Sequence, residues 1–410
     1  MANTLNLGNG NWATKEDSLL AYNSENGNFK PLPFDFTRAS SATVVNKAGL
    51  IETVGSGEAR IDFSKDDSKG ALLLEPTRSN LIPYSEDFSN AAWAKQSVTI
   101  TSNSVISPDG SLNADKITDD STNGAHRMTE AFTTSSTGSF TYSIFLKKGT
   151  LTTAQFQLFN SATASSANVD LVNGTITSDG TGVDHKIENY GNDWFKCSIS
   201  GTLSNSTTTV YLYLKQKPNY IGSGDYLYAW GAQFEEGSYA TSYIPNFGNS
   251  AGATRSADVC NNGANEQVIN STEGVLYAEI SGFENDTSFR TISLSDGSNI
   301  NEVQLLYSGN TNIIRVILTS NAVTQVDFNY TMTNGVNYNK IAFTYKQNNF
   351  QLWVNGIKRQ SDTIGNTSNN LNKIRFQNGV GSANFYGNVK DIKLYNTALT
   401  DSELTALTKI

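Results

Sequence analysis

The sequence has few charged residues and no long apolar run. Only 16% of its 410 residues are charged, and the formal net charge is −9. No basic run stands out, so the electrostatic footprint that tracks nucleic-acid phosphates is missing. No stretch approaches the roughly 20 apolar residues that span a bilayer, and the N-terminus lacks the basic and apolar regions of a signal peptide. We therefore expect no nucleic-acid partner, no secretion signal and no membrane insertion.

Histidine and cysteine are also scarce. The chain has two of each, His126 and His185, and Cys197 and Cys260, and none of them stands in a metal-ligand spacing. The ligand sets of the usual zinc sites therefore cannot be assembled. The cysteine spacing gives no support for a disulfide, so we predict two free thiols.

Calcium needs only oxygen ligands, and four aspartates cluster loosely between positions 109 and 120. They are Asp109, Asp115, Asp119 and Asp120. Surface loops often look like this without any ion, so we expect no cofactor and leave a structural calcium ion open.

Catalytic signatures are weak. Residues 248–252 match G-x-S-x-G, but both histidines lie upstream, whereas the hydrolase order requires a downstream histidine. Glycosidases need two carboxylates flanking the scissile bond, and Glu235 and Glu236 are adjacent strand residues that point to opposite faces. We predict that the protein is not an enzyme. Polysaccharide degradation is a disfavoured alternative, because carboxylates distant in sequence can meet in space.

Alternating apolar and polar runs, bounded by Gly, Asn, Asp and Ser, recur throughout the chain and are typical of sandwiches and jelly rolls. We predict an all-β protein. Residues 1–82 are predicted to form an N-terminal extended arm, residues 83–248 a jelly-roll β-sandwich, and residues 271–410 a second sandwich. The small, polar segment 249–270 is predicted to be a linker.

The arm contains only short apolar segments separated by Gly and Pro, which is too little material for an independent core. We expect it to be stabilised by docking on something else. The next domain, sister chains and a larger assembly all remain open.

Local patterns predict individual elements. In the strand predicted at residues 226–234, a period of two places Tyr226, Tyr228, Trp230 and Phe234 on one face. Other strands of the middle domain are predicted at residues 140–147, 154–159, 194–200 and 210–215.

Two signals stand out in the last domain. Asn355-Gly356 predicts a type I′ hairpin, because that turn needs positive φ at both central residues. Thr400 and Glu403 have capping-box spacing and predict a short C-terminal helix.

Exposed aromatics suit sugar binding, because the flat C–H faces of sugars stack on Tyr and Trp. The candidate carbohydrate-binding residues are Tyr211, Tyr213, Tyr226, Tyr228, Trp230 and Trp353. Trp353, near the Asn355-Gly356 turn, is expected to be partly exposed. The sequence alone leaves open whether these rings fill a core, a subunit interface or a ligand platform.

Three stretches of the middle domain resemble the phage head spike fibre domain, a carbohydrate-binding-module-like jelly roll of tailed-bacteriophage virion proteins. They are N-L-x-x-Y-S-E-D-F, P-D-G-x-x-x-A-D-K-I and A-Q-F-E-E-G-S-x-A-T-S-Y-I-P, and the resemblance covers residues 78–246. The arm segments R-A-S-S-A-T and L-L-L-E-P-T-R-S-N-L are similar to the sequence that precedes this domain in many such proteins. Residues 270–410 resemble a concanavalin A-like, laminin-G-like sandwich.

The resemblance implies a structural virion protein, a head fibre or spike on the virion surface, whose lectin-like modules bind glycan weakly and multivalently. It also implies a homo-oligomer, by default a trimer, attached to capsid or tail proteins through the N-terminal arm. A tail fibre or receptor-binding protein is the alternative, and a polysaccharide-degrading virion enzyme is a less favoured one. The family offers no catalytic motif, and the sandwich fold alone does not define a function.

Overall fold

A computed structural model describes residues 2–15, 17–24, 27, 29, 33–64, 68–133, 137–160, 164–178, 184–203, 207–215, 219–284, 287–310 and 312–410. Over these residues the chain forms 35 β-strands and one α-helix. None of the described residues belongs to a helix long and apolar enough to cross a membrane. Two compact units are present, unit 1 with residues 1–41, 54–76 and 256–410, and unit 2 with residues 42–53 and 77–255.

The strands of the first half of the chain are β1 (Leu5–Gly8), β2 (Ala13–Lys15), β3 (Ser18–Leu20), β4 (Phe34–Thr37), β5 (Ala42–Val45), β6 (Ile51–Val54), β7 (Ile61–Asp62), β8 (Ala71–Leu74), β9 (Arg78–Asn80), β10 (Ala94–Gln96), β11 (Val98–Ile106), β12 (Leu112–Asp119), β13 (Asn123–Gly124), β14 (Arg127–Thr133), β15 (Gly138–Lys148), β16 (Thr153–Asn160), β17 (Ala164–Asp170), β18 (Thr175–Ser178), β19 (Asp184–Asn189) and β20 (Trp194–Leu203).

The remaining elements are β21 (Thr207–Tyr213), β22 (Tyr220–Ile221), β23 (Tyr226–Glu236), β24 (Ala253–Arg255), β25 (Val259–Asn261), β26 (Glu273–Ser281), β27 (Arg290–Ser295), β28 (Glu302–Tyr307), β29 (Ile313–Ser320), β30 (Val323–Thr331), β31 (Asn339–Lys346), β32 (Asn349–Val354), β33 (Ile357–Asp362), β34 (Lys373–Arg375), β35 (Gly387–Tyr395) and α1 (Asp401–Thr408).

Unit 1 is a β-sandwich. One sheet has the order β33-β32-β31-β26-β35-β8-β7, with β1 also paired to β35, and the other has the order β30-β29-β28-β27-β34. Along a strand of a sandwich, side chains that face the core alternate with side chains that face outward, because successive side chains point to opposite faces of the sheet. In β29, for example, Ile314, Val316 and Leu318 are fully buried in the core between the sheets. The second sandwich predicted from the sequence is confirmed.

The N-terminal residues add strands to unit 1, so the arm predicted from the sequence is stabilised by docking on another part of the same chain. β1 pairs with β35, where Leu5 lies opposite Leu394, and β8 pairs with residues 387–389 of the same strand. Leu5 and Leu72 are buried in the unit 1 core. β25 pairs with β4, although β25 lies in the predicted linker. Short apolar segments that cannot build their own core are stabilised here by extending existing sheets.

Both local predictions in unit 1 are confirmed. Asn355 and Gly356 join β32 to β33 with φ angles of 53° and 80°, both positive as a type I′ turn requires. Helix α1 begins after Thr400, whose hydroxyl accepts a hydrogen bond from the Glu403 N–H while the Glu403 carboxylate accepts one from the Thr400 N–H.

Unit 2 is a sandwich of two antiparallel sheets, with the orders β10-β14-β21-β16-β17-β18 and β11-β12-β23-β15-β20-β19. We call these sheet G and sheet H. Phe156, Val210 and Leu212 of sheet G pack against Tyr142 and Leu227 of sheet H in a buried core. The five strands predicted in this region correspond to β15, β16, β20, β21 and β23. As predicted, both cysteines are free thiols, and both are buried.

Strand β23 does not keep the alternation predicted for it. Its register with β15 shifts at Gly231, which has a φ of 60°. Such a bulge places an extra residue in one strand and so reverses the face of the residues that follow. Trp230 lies on the outer side of sheet H, whereas Phe234 lies in the core between the sheets. The prediction that Phe234 shares a face with Trp230 is therefore wrong.

Candidate functional site

Three of the six aromatic residues predicted to bind sugar are buried: Tyr213, Trp230 and Trp353. Trp230 is 1% exposed and packs 4.6 Å from the Tyr243 ring, measured between ring centres. Trp353 is 5% exposed and packs with Leu404 beneath helix α1. The expectation that Trp353 is partly exposed is wrong, because the helix covers that side of β32. Neither indole ring offers a face to a ligand in this structure.

Tyr226 and Tyr228 are half-buried on the outer face of sheet H. Their ring centres are 5.5 Å apart and their planes cross at 74°. The Lys116 ammonium nitrogen lies 5.1 Å from the centre of the Tyr226 ring. A nearly perpendicular pair does not form one continuous flat surface, so it offers a sugar ring less stacking area than a parallel pair does.

Tyr211 and Tyr213 form a parallel pair on the outer face of sheet G. Their ring centres are 5.6 Å apart, and their planes differ by 9°. Because they are two residues apart on β21, they project from the same face. Tyr213 is buried and Tyr211 is half-buried, so Tyr211 has the more accessible ring. Phe159 of β16, which is 39% exposed, meets the Tyr211 ring edge-on at 6.4 Å.

Arg127 of β14 is fixed against this tyrosine pair. Its guanidinium carbon lies 5.2 Å from the centre of the Tyr211 ring and 5.5 Å from that of Tyr213. Nε donates a hydrogen bond to Gln96 Oε1 at 2.8 Å, and Nη1 donates one to the Tyr213 hydroxyl at 2.9 Å. In the part of the chain that the structure describes, Nη2 has no hydrogen-bond partner.

A cleft of about 540 Å³ opens beside Arg127. Its lining residues are Gln96, Ala125, His126, Arg127, Tyr213, Lys215, Asn219 and Tyr220. The cleft and the half-buried Tyr211 ring therefore flank the same guanidinium group. We call Phe159, Tyr211, Arg127 and this cleft the sheet G site.

Contacts within the protein hold the far side of the cleft in place. The Tyr220 hydroxyl donates a hydrogen bond to Asp119 Oδ2 at 2.9 Å. Burial, and secondly this hydrogen bond, raise the pKa of Tyr220. The Lys215 ammonium lies 4.4 Å from the centre of the Tyr220 ring and 3.4 Å from Asp225 Oδ2. Tyr220 thus lines the cleft as an uncharged residue, and Lys215 forms an ion pair with Asp225.

The four aspartates considered for calcium accept hydrogen bonds from protein donors. Asp119 accepts three backbone N–H groups, and Asp115 accepts those of Phe88 and Asn103. Asp109 and Asp120 accept hydrogen bonds within their own turns. Over the described ranges, no three His, Cys, Asp or Glu side chains are arranged to hold a metal ion. A structural calcium ion stays a prediction.

Sequence reasoning missed the polar part of the sheet G site. It selected Tyr211 and Tyr213 as rings, but it did not select Arg127, Gln96 or Phe159. Gln96 and Tyr213 are 31 and 86 residues from Arg127 in sequence, yet β10, β14 and β21 place the three in one row across the sheet. No local pattern encodes that row. An arginine at the start of a strand was no specific signal, because Arg78 and Arg290 also begin strands.

The comparisons with known proteins bear first on unit 1. Residues 278–405 match the family described as the Concanavalin A-like lectin/glucanases superfamily. This range runs from β26 to α1 and agrees with the resemblance noted from the sequence. The C-terminal domain is therefore a concanavalin A-like β-sandwich. No curated protein sequence matches the chain.

Several solved structures resemble part of the chain. The CBM40 domain of the Ruminococcus gnavus IT-sialidase, bound to α2,3-sialyllactose, is 16% identical with a TM-score of 0.31, and the match covers 35% of this chain and 86% of that domain. Domain 4 of a GH43 extracellular arabinanase from Geobacillus stearothermophilus, bound to arabinotriose, is 15% identical with a TM-score of 0.31, covering 37% and 73%. The binding domain of botulinum neurotoxin serotype G is 17% identical with a TM-score of 0.28, covering 37% and 39%. Similarities this low give no information about the ligand of this chain.

Proposed function

We propose that unit 2 binds glycan at the sheet G site. The observation that carries this proposal is the fixed arrangement of Arg127 against the parallel Tyr211 and Tyr213 rings, beside an open cleft. The accessible part of the half-buried Tyr211 ring provides a flat apolar surface for one face of a sugar. The guanidinium group and the side chains that line the cleft provide polar contacts at the edge of the sugar ring, where hydroxyl groups lie.

The concanavalin A-like domain supports the same class of function only at the level of fold. Lectins, hydrolases and spacers share such sandwiches, so the superfamily match assigns no ligand to unit 1. Trp353, the candidate binding residue in this unit, is covered by helix α1. The proposed binding role therefore rests on unit 2.

We further propose that the protein is a structural component of a tailed-bacteriophage virion, a head fibre or spike displayed on the virion surface. The support is the combination of three sequence stretches within residues 78–246. In this proposal the chain is a homo-oligomer, by default a trimer, and the segment 1–82 attaches it to capsid or tail proteins. A tail fibre or receptor-binding protein is the alternative, and antibody labelling of purified virions in the electron microscope distinguishes the two positions.

Weak sites suffice for this role. Several copies held in one oligomer make later binding events intramolecular, so overall avidity exceeds the affinity of each site. Size-exclusion chromatography with light scattering gives the oligomeric state. A monomer at micromolar concentration would contradict the multivalent part of the proposal and leave the binding site itself standing.

We propose no catalytic activity and no required cofactor. Glu235 and Glu236 differ in environment, since Glu235 is fully buried and accepts hydrogen bonds from Thr241, whereas Glu236 is exposed. They do not form a pair across an open site. Incubation with host capsular polysaccharide, followed by assays for new reducing ends and unsaturated products, tests this; products of either kind would support the enzyme alternative.

The binding proposal is tested on a glycan array with the intact chain and matched tyrosine variants. We expect Tyr211→Ala to weaken glycan binding about fivefold, since one aromatic stacking partner contributes on the order of 1 kcal/mol, and Tyr211→Phe to retain most of the affinity. Tyr228→Ala removes the same side chain from the outer face of sheet H and serves as the control. Binding that depends on Tyr228 and not on Tyr211 would place the site on the other sheet.

A further inference from the structure

Stacking on tyrosine does not explain the charge at the sheet G site. The buried guanidinium groups of Arg38 and Arg60 pair with Asp258, and the partly exposed one of Arg315 pairs with Asp327. Arg127 has no carboxylate partner within 4.0 Å among the residues that the structure describes. It holds an uncompensated positive charge in a chain whose net charge is −9.

The position of Arg127 is set before any ligand arrives. Gln96 and the Tyr213 hydroxyl each accept one of its hydrogen bonds, and the guanidinium carbon lies within 5.5 Å of the centres of two tyrosine rings. A fixed side chain loses little conformational entropy on binding, so more of the interaction energy appears as affinity. The Nη2 group is left with N–H donors that no described protein acceptor takes.

The charges around the cleft favour an anion. Among the lining residues that the structure describes, Arg127 and Lys215 are cationic, and none is a carboxylate. Three carboxylates lie close by, and each already has a partner in the protein: Asp225 lies 3.4 Å from the Lys215 ammonium, Asp119 accepts a hydrogen bond from Tyr220, and Asp120 accepts one from the Thr122 N–H. Of the two cations that line the cleft, Arg127 is therefore the one whose charge is not paired with a described carboxylate and can pair with a ligand.

We infer that the sheet G site selects a sugar that carries a single negative charge, either a uronate carboxylate or a phosphodiester. The anionic group binds Nη2 of Arg127, and the apolar face of a sugar ring stacks on Tyr211. Hydrogen bonds between a guanidinium and an oxyanion are stronger than neutral ones, and the planar donor suits both anions. This inference rests on the proposed function, because it concerns the same site.

The inference is tested with a panel of bacterial polysaccharides, each acidic member printed beside its carboxyl-reduced form, together with teichoic-acid repeat units that carry one phosphodiester, each printed beside its neutral methyl phosphotriester. We expect the intact chain to bind acidic members and to lose tenfold or more in affinity when the charge is removed. Loss on carboxyl reduction identifies a uronate, and loss on conversion to the phosphotriester identifies a phosphodiester. Equal binding of native and neutralised polymers would overturn the inference while leaving the proposed function in place, and no binding to any glycan would overturn both.

Variants connect the selectivity to Arg127. We expect Arg127→Gln to bind native and neutralised polymers equally, whereas Tyr211→Ala weakens binding to both. Arg127→Lys keeps the charge but not the fork of donors, so it should retain partial discrimination. Arg315→Gln makes the same charge change in unit 1 and serves as the control. Thermal denaturation checks that each variant is folded, and unchanged discrimination in folded Arg127→Gln would contradict the role of Arg127.

Salt dependence gives an independent measurement. Ions screen an exposed charge pair, so the affinity of the unmodified chain for acidic glycans should fall when NaCl is raised from about 50 mM to about 500 mM. This range shortens the Debye length roughly threefold. The affinity of Arg127→Gln should change less over the same range. Equal salt dependence in both would oppose a charge contact at this position.

Discussion

The Arg38 guanidinium lies 3.0 Å from the Asp258 carboxylate, and neither side chain has any exposed surface. The other oxygen of Asp258 accepts hydrogen bonds from Arg60 and from the backbone N–H of Glu75. Arg60 also donates to the Glu75 carboxylate at 2.7 Å. Burial lowers the pKa of Arg60, but the charges of Glu75 and Asp258 outweigh it, so the pKa is raised overall. Two cations and two anions thus form a neutral buried cluster in unit 1.

Removing one charge from this cluster should destabilise unit 1 strongly. In Asp258→Asn two buried arginines share a single carboxylate, and breaking a buried ion pair costs about 3–5 kcal/mol. The measurement is hydrogen exchange of the β8 and β25 amides across a urea series. Asp327→Asn, which breaks the part-exposed pair with Arg315, is the control and should cost about 1 kcal/mol or less. Similar losses in the two variants would contradict a special role for the buried cluster.

The sequence did not predict this buried cluster, although it predicted much of the fold around it. The sandwiches, the Asn355-Gly356 turn and the Thr400 cap were predicted because alternation, turn chemistry and capping depend on residues close in sequence. Asp258 was assigned to a polar linker, and its partners Arg60 and Arg38 lie 198 and 220 residues away. A pattern read along the chain does not show such pairs. The row of Gln96, Arg127 and Tyr213 at the proposed binding site was missed for the same reason.

A buried carboxyl group should make the stability of unit 2 depend on pH. Glu130 of β14 faces the sandwich core, and its Oε2 atom has no hydrogen-bond partner among the described atoms. Burial raises its pKa from an ordinary 4.5 to about 7. Between these values the group is neutral in the folded protein and ionised in the unfolded chain. The unfolded state therefore binds fewer protons, and stability falls as pH rises from about 4.5 to about 7.

Glu130→Gln should remove this dependence. At pH 8 the variant should be more stable than the unmodified chain by about 3 kcal/mol, because each unit of pKa difference corresponds to about 1.4 kcal/mol, and near pH 4 the two should be equally stable. Urea denaturation of both proteins at pH 4, 6 and 8 measures this difference in the free energy of unfolding. Some slope remains in the variant, because burial also raises the pKa of Asp115 to about 6. A variant less stable than the unmodified chain at pH 8 would indicate that ionised Glu130 has a compensating partner.

Trp353 should contribute to stability and not to sugar binding. It packs beneath helix α1 in a cluster with Tyr277 and Leu404. We expect Trp353→Ala to lower the free energy of unfolding by about 3–5 kcal/mol, as large-to-small core substitutions do, and to leave the glycan-array profile unchanged. Trp353→Phe keeps an aromatic ring and should cost less. A selective loss of glycan binding with normal stability would show that the indole is a ligand contact after all.

The bulge at Gly231 should be sensitive to any side chain. Its φ of 60° is costly for other residues, and a Cβ atom built there lies 2.9 Å from Cδ2 of Phe145, which is itself packed against Trp230. Gly231→Ala therefore combines backbone strain, about 1 kcal/mol, with a steric clash, and should cost about 2–3 kcal/mol in total.

Gly191→Ala separates the two contributions. Gly191 has a φ of 75°, but a Cβ atom there meets nothing within 4 Å, so only the strain of about 1 kcal/mol should remain. Both variants are compared by urea denaturation, with glycan binding measured alongside. Because Tyr211 lies on the other sheet, Gly231→Ala should leave binding intact wherever the protein is folded. Equal losses of stability at the two positions would mean that Phe145 moves aside at no cost, and that the buried ring cluster around Trp230 is not tightly packed.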